Sequence, residues 1–128
     1  MALAPDAQMG VGTPSIPAFL EAFFGIADLW KLTIDDQLKL LGSPGRSTYF
    51  KWKKSGGSLP EDIDERISHL LGIYKSLQIL VPIADRADEW IRRPNEYFDD
   101  QSALEVMLGG KVVHIYTVRQ YLDAQRGG

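Results

Sequence analysis

Residues Ala87 to Gly110, ADEWIRRPNEYFDDQSALEVMLGG, decide how this chain folds. The stretch opens as the last turns of a helix carrying Trp90 and Ile91, then meets a stop at Arg93-Pro94-Asn95. Proline crowds helical geometry in the residue before it, so Arg93 leaves the helix and Pro94-Asn95 begins a turn. A short aromatic and acidic loop, Glu96 to Gln101, follows. Ser102 with Glu105 three residues on is a capping box: the hydroxyl takes an orphan amide of the new helix, and the carboxylate reaches back to the cap. That helix runs from Ser102 to Leu108, and Gly109-Gly110 supply a left-handed stop.

Working outward, Lys111 to Leu122 is rich in β-branched residues and would permit a strand. Val112, Ile115, Tyr116 or Arg119, and Leu122 also share a helical face, and no strand partner is legible elsewhere, so the segment reads as helix. Upstream, Pro60 starts a long helix in which Leu59, Ile63, Ile67, Leu70, Leu71, Tyr74, Leu77 and Val81 recur with helical period. Its first turns hold Glu61, Asp62, Asp64 and Glu65, which favour the positive end of the helix dipole and read as a solvated helix start rather than a metal site. Val81-Pro82 breaks it, and Ile83 to Trp90 is a short helix leading into the opening motif.

The first half reads as three further helices. Ser15 as cap and Pro17 in the first turn open one with an apolar stripe of Phe19, Leu20, Phe23, Phe24, Ala27 and Trp30. Thr33, with Asp36 as a shorter capping-box partner, opens the second, with Ile34, Leu38 and Leu41 on one side and an end at Gly42. Ser43 caps the third, whose first turn takes Pro44 and which runs from Arg46 to Lys54 before Ser55-Gly56-Gly57. Two short helices joined by a glycine turn, the second basic, form the pattern of a helix-turn-helix. Tyr49 and Trp52 should pack inward with Phe50 at the edge, leaving Arg46, Ser47, Thr48 and Lys51 to reach base edges or phosphates. Lys53 and Lys54 suit the negative helix terminus with or without nucleic acid.

Charge is distributed unevenly. The net charge of −3 hides a segment, residues 28–60, with six bases against Asp28, Asp35 and Asp36, followed by residues 61–100 with five bases against ten acids. A basic island in an acidic chain is how a local nucleic-acid footprint appears. The 128 residues contain no cysteine, which removes disulfides, thiol nucleophiles and cysteine-ligated zinc, and only His69 and His114, far apart and without a partner motif. There is no glycine-rich phosphate loop, nucleophile motif or metal spacing, so the expectation is a binding protein, not an enzyme, with no cofactor. The N-terminal MALAPDAQMG lacks a signal peptide's basic start and apolar centre, and no apolar run approaches a membrane span, so the protein is expected in the cytoplasm.

Trp-Ile-x-x-Pro-Asn-x-x-Phe at Trp90 to Phe98, then a capped Leu-containing helix, glycine and a final amphipathic helix, resembles the toxin-binding domain shared by the Xre, MbcA and ParS antitoxins, over about Ile83 to Gly127. Arg46-Ser47 followed by Trp52 resembles the recognition helix of the Xre-type helix-turn-helix. Residues 1–14, with Ala, Gly and Pro and little periodicity, read as a flexible arm, and the resemblance implies an all-α small helical bundle with an Xre-like helix-turn-helix region over 15–81 and a toxin-binding region over 82–128. It implies an antitoxin of a type II pair, binding a RES-domain toxin that consumes NAD⁺ or uses it for ADP-ribosylation, covering its active site, and repressing its own operon through DNA. The toxin-binding residues so implied are Trp90, Pro94, Asn95, Arg119, Leu122 and Arg126, with Arg126 pairing acids that otherwise serve the substrate. Trp90 has an equal reading as core, and Pro94-Asn95 as a simple chain turn. On this reading, deleting residues 120–128 releases the toxin while leaving the fold intact. A homo-oligomer within a hetero-oligomeric complex is expected because helix-turn-helix proteins read paired half-sites. Two other readings stay open: a stand-alone helix-turn-helix regulator whose second half dimerises, and an adaptor that binds no DNA.

Overall fold

The computed structural model describes residues 16–127. The expected arm over 1–14 and the Ser15 cap lie outside them. Seven helices follow in order: α1 (Ala18–Leu29), α2 (Ile34–Leu40), α3 (Arg46–Ser55), α4 (Glu61–Leu80), α5 (Ala84–Trp90), α6 (Ala103–Met107) and α7 (Val112–Gln125). Between α5 and α6 lie β1 (Pro94–Asn95), a 3₁₀ turn (Glu96–Phe98) and β2 (Gln101–Ser102). The fold is all-α with one minimal two-stranded ladder.

The long helix α4 is the axis, packing on α1 on one side and α7 on the other, with α5 folded back against it. Its buried face is Ile63, Ile67, Leu70, Ile73 and Leu77, of which the sequence reading had all but Ile73; Leu71 and Tyr74 flank it half-buried, as do Leu59 and Val81 just beyond its ends. Leu20, Phe23, Ile26 and Ala27 of α1 and Ile115, Val118 and Leu122 of α7 complete one continuous core. Each such Leu, Ile or Phe contributes about 1.5–3 kcal/mol before the entropic cost of ordering it.

Both capping boxes form. Thr33 Oγ1 accepts from the Asp36 amide at 3.0 Å, and Ser102 Oγ from the Glu105 amide at 3.1 Å while Glu105 Oε1 accepts from the Ser102 amide at 2.8 Å. The last segment is a helix, as its apolar spacing predicts.

Several local readings are corrected. Pro17 is the N-cap of α1 rather than a residue of its first turn. The buried face of α2 is Gln37, Leu40 and Leu41, with Ile34 and Leu38 half-buried. Gln37 goes inside because its amide is satisfied there: Oε1 accepts from the Tyr49 hydroxyl and Nε2 donates to Leu32 O at 3.2 Å. Ser43 does not cap α3; with φ +62° it is a left-handed residue of the turn, its amide bonded to Leu38 O at 2.7 Å, and Gly45 takes the cap position without a side chain to offer. Pro94-Asn95 is extended and pairs antiparallel with Gln101–Ser102, so the loop is a small closed hairpin. Of the glycine pair only Gly110 is left-handed, at φ +90°. Gly109 lies instead against the His114 ring: a Cβ there would be 2.4 Å from Nδ1, so any larger residue would have to displace that half-exposed side chain and its bond to the Lys111 amide.

The C-terminal helix cannot be trimmed freely. It runs to Gln125 with Leu122 2% exposed, so deleting residues 120–128 would take a core side chain with it, contrary to the expectation that the fold survives.

Candidate nucleic-acid and toxin interfaces

The candidate nucleic-acid face is built on α3. Tyr49 and Trp52 are buried at 0% and 3% exposure and anchor the helix, which leaves Arg46, Ser47, Thr48, Phe50, Lys51, Lys53 and Lys54 outside. Its first turn holds no acid and its cap offers no side chain, so the opening amides keep their positive end for an anion. Arg46 Nη2 contacts Asp35 Oδ1 at 2.6 Å, with both side chains more than half exposed. Such a surface pair is worth at most about 1 kcal/mol and yields readily to a phosphate. Lys53 is partly occupied, its ammonium 5.5 Å from the Phe24 ring. Arg46, Ser47 and Thr48 cluster at the helix start, and Lys51 lies one turn on.

The second face is aromatic. Trp90, half-buried, stacks on Tyr121 with centroids 6.2 Å apart and planes at 15°, and Tyr97 and Phe98 approach the same ring at 4.5 and 5.4 Å. Tyr121 is thus the hub where the end of α5, the hairpin and α7 meet. Beside it a groove of about 180 Å³ is walled by Leu77, Leu80, Val81, Trp90, Tyr121, Leu122 and Gln125. Ile83, at the start of α5, and Tyr97, on the hairpin, are more than half exposed. Apolar and aromatic surface left open beside a groove is the composition of a protein-binding patch.

The hairpin explains the sequence around Pro94. Asn95 Oδ1 accepts from the Tyr97 amide at 2.9 Å and Asn95 O from the Asp100 amide at 3.0 Å, while Asp99 and Asp100 take left-handed φ of +55° and +67°. These bonds present Tyr97 to Tyr121. Leu104 N donates to Ile91 O at 2.8 Å and fixes α6 to the end of α5.

The six predicted toxin-face residues are not brought together at one point. Trp90 and Leu122 border the aromatic groove, with Leu122 forming its floor rather than an exposed contact. Pro94 and Asn95 build the hairpin beside it. Arg119 and Arg126 lie along the seam with α4: Arg119 Nη1 donates to Ser68 O at 3.3 Å and meets His69 Nδ1 at 3.2 Å, and Arg126 Nη1 donates to Ser76 Oγ at 3.3 Å. Tyr97 and Tyr121 were not singled out from sequence, and Phe98 entered only as the last residue of the Trp90-to-Phe98 motif, with no role assigned. The only signal was an aromatic pair two residues after Pro-Asn and a tyrosine two positions after Arg119, and neither spacing says that they meet.

A model of the antitoxin Xre-like helix-turn-helix domain matches residues 18–72, and one of the antitoxin Xre/MbcA/ParS C-terminal toxin-binding domain matches residues 76–128. An uncharacterised protein, y4oB, of Sinorhizobium fredii is 69% identical over 113 residues, which is 88% of each chain. The chain belongs to the Xre/MbcA/ParS antitoxin family. No solved structure matches it. In this antitoxin the helix-turn-helix model covers α1 to the middle of α4, and the toxin-binding model begins at Ser76 on the same helix. The aromatic groove therefore lies within the toxin-binding part, and the exposed basic helix within the helix-turn-helix part. No helix among the described residues is long and apolar enough to cross a membrane.

Proposed function

We propose that this antitoxin neutralises a RES-domain, NAD⁺-consuming toxin by covering its active site, and that α3 binds the promoter of its own operon. The observation that carries the toxin half is the aromatic groove centred on Tyr121, with Trp90 and the hairpin-borne Tyr97 at its rim. Aromatic side chains immobilised by stacking lose little entropy on binding, so a few of them carry much of an interface's energy. The seam arginines Arg119 and Arg126 flank the same helix and offer guanidinium groups to acids of the toxin. Supporting the DNA half is the concentration of Arg46, Ser47, Thr48 and Lys51 on the solvent side of a helix anchored by Tyr49 and Trp52. Paired half-sites would call for a symmetric oligomer of the antitoxin within the complex.

The test is co-purification with the product of the adjacent reading frame, followed by NAD⁺ turnover by the complex and by the freed toxin. Tight co-purification with NAD⁺ turnover suppressed in the complex is the expected result. A neighbour that neither binds nor consumes NAD⁺ would leave a stand-alone regulator, for which the exposed basic face of α3 is the supporting observation.

A further inference from the structure

Arg66 sits on α4 at 7% exposure, and its guanidinium reaches three places at once. Nε donates to Asp62 Oδ2 at 3.0 Å, one turn back on the same helix. Nη1 donates to Leu40 O at 3.3 Å, at the end of α2, and to Gly110 O at 2.8 Å, in the turn that launches α7. Leu40 precedes the left-handed pair Gly42-Ser43, which sets how α3 leaves α2, and a Cβ on Gly42 would lie 3.1 Å from Arg66 Nε. Gly110 is itself left-handed, and its Cβ position is 4.0 Å from the Lys39 carbonyl. The turn before the basic helix and the turn before the aromatic-bearing helix thus abut, and one buried guanidinium holds both. Carbonyls at the end of a helix and in a turn need donors, and Nη1 serves these two with its two N–H bonds while Nε is held by Asp62.

We propose that Arg66 is a positioning residue shared by the two halves, coupling the α2–α3 turn to the α6–α7 turn so that a change at either is felt at the other. At 7% exposure Arg66 offers almost no surface of its own to a ligand. The consequence, which rests on the function proposed above, is that a toxin seated on α7 changes operator affinity through this residue.

The coupling itself is measured on the free antitoxin, by amide hydrogen exchange. The Ser43 amide reports one turn, and the Ile73 amide, at the centre of α4, reports global opening. Gly110→Ala perturbs the other turn because alanine is strained at its positive φ. In the otherwise native chain this substitution should speed exchange at Ser43 by about tenfold more than at Ile73, and in Arg66→Met or Arg66→Lys that excess should vanish. Lysine keeps the charge but has no second nitrogen to hold Asp62 while the first serves both carbonyls, so it tests the bridge should the methionine variant fail to fold. If Ser43 only follows Ile73 in the native background, or if its excess persists in the Arg66 variants that fold, the proposal is overturned. A residual effect of the second kind would run through the new alanine methyl, which meets the Lys39 carbonyl at 4.0 Å. Neither DNA nor toxin enters this experiment, so its failure leaves the proposed function standing.

Discussion

Tyr49 concentrates the energetics of the helix-turn-helix into one hydroxyl. It is fully buried, its hydroxyl donates to Gln37 Oε1, and burial with the charge of Asp28 holds its pKa above the usual phenol range. Tyr49→Phe should cost about 1–3 kcal/mol, because it leaves a buried amide oxygen without a donor, and denaturant titration reads the loss. Asp88 also has a raised pKa, but without the hydrogen bond that compensates Tyr49. Its Oδ1 is buried without a hydrogen-bond partner among the described residues, and desolvation first, then Asp85, raise its pKa. A carboxyl with a raised folded pKa contributes stability below its unfolded pKa, about 4, and loses it as pH rises through the folded value. Asp88→Asn should therefore gain on the native chain between pH 3 and pH 7, measured as the difference in melting temperature at each end. An equal difference at both pH values would refute that sign.

At the scale of elements, punctuation was the legible part. The spacing Ser102 to Glu105 and Thr33 to Asp36 named two helix starts, because a capping box is a local contract between residues three apart. Ser102→Ala should destabilise by about 1 kcal/mol and fray α6 first, visible as faster exchange at the Glu105 amide. Where the local rules failed, a distant partner had changed the local optimum. Gln37 points inward for Tyr49, twelve residues away, and Ser43 turns left-handed where its amide bonds Leu38 O. The α5–α6 loop closes as a ladder because Pro94-Asn95 and Gln101-Ser102 are held by the Asn95 and Asp99-Asp100 turn between them. For the site, the basic exposed row on α3 followed from helical period alone, given Tyr49 and Trp52 as anchors. The aromatic groove did not, since Trp90, Tyr97 and Tyr121 come from three elements and meet only once α7 packs on α4.

On the scale of the molecule, α4 joins the two parts into one body. Arg66 spans from one side, and on the other Arg92 Nη2, at the end of α5, donates to Trp30 O at 2.6 Å and Lys31 O at 3.0 Å, capping the left-handed exit of α1. No periodicity or spacing in the sequence reveals such long-range guanidinium bridges. For the DNA function, Arg46→Ala with Lys51→Ala should weaken operator binding and reduce the slope of log affinity against log salt by about 2, because two phosphate contacts no longer release counterions. An unchanged slope in a gel-shift salt series would place the DNA contacts elsewhere. For the toxin function the decisive residue is Tyr97, which is 65% exposed and so leaves the core intact when removed. The most direct measurement is cellular NAD⁺ and survival on co-expression of the product of the adjacent reading frame, the proposed toxin, with the native chain and with Tyr97→Ala, at matched levels of the two. We expect the native chain to restore both, and the variant to fail, with its affinity for the purified toxin lowered at least about tenfold and its melting temperature nearly unchanged. Equal rescue and equal affinity by the two would contradict neutralisation through the aromatic groove.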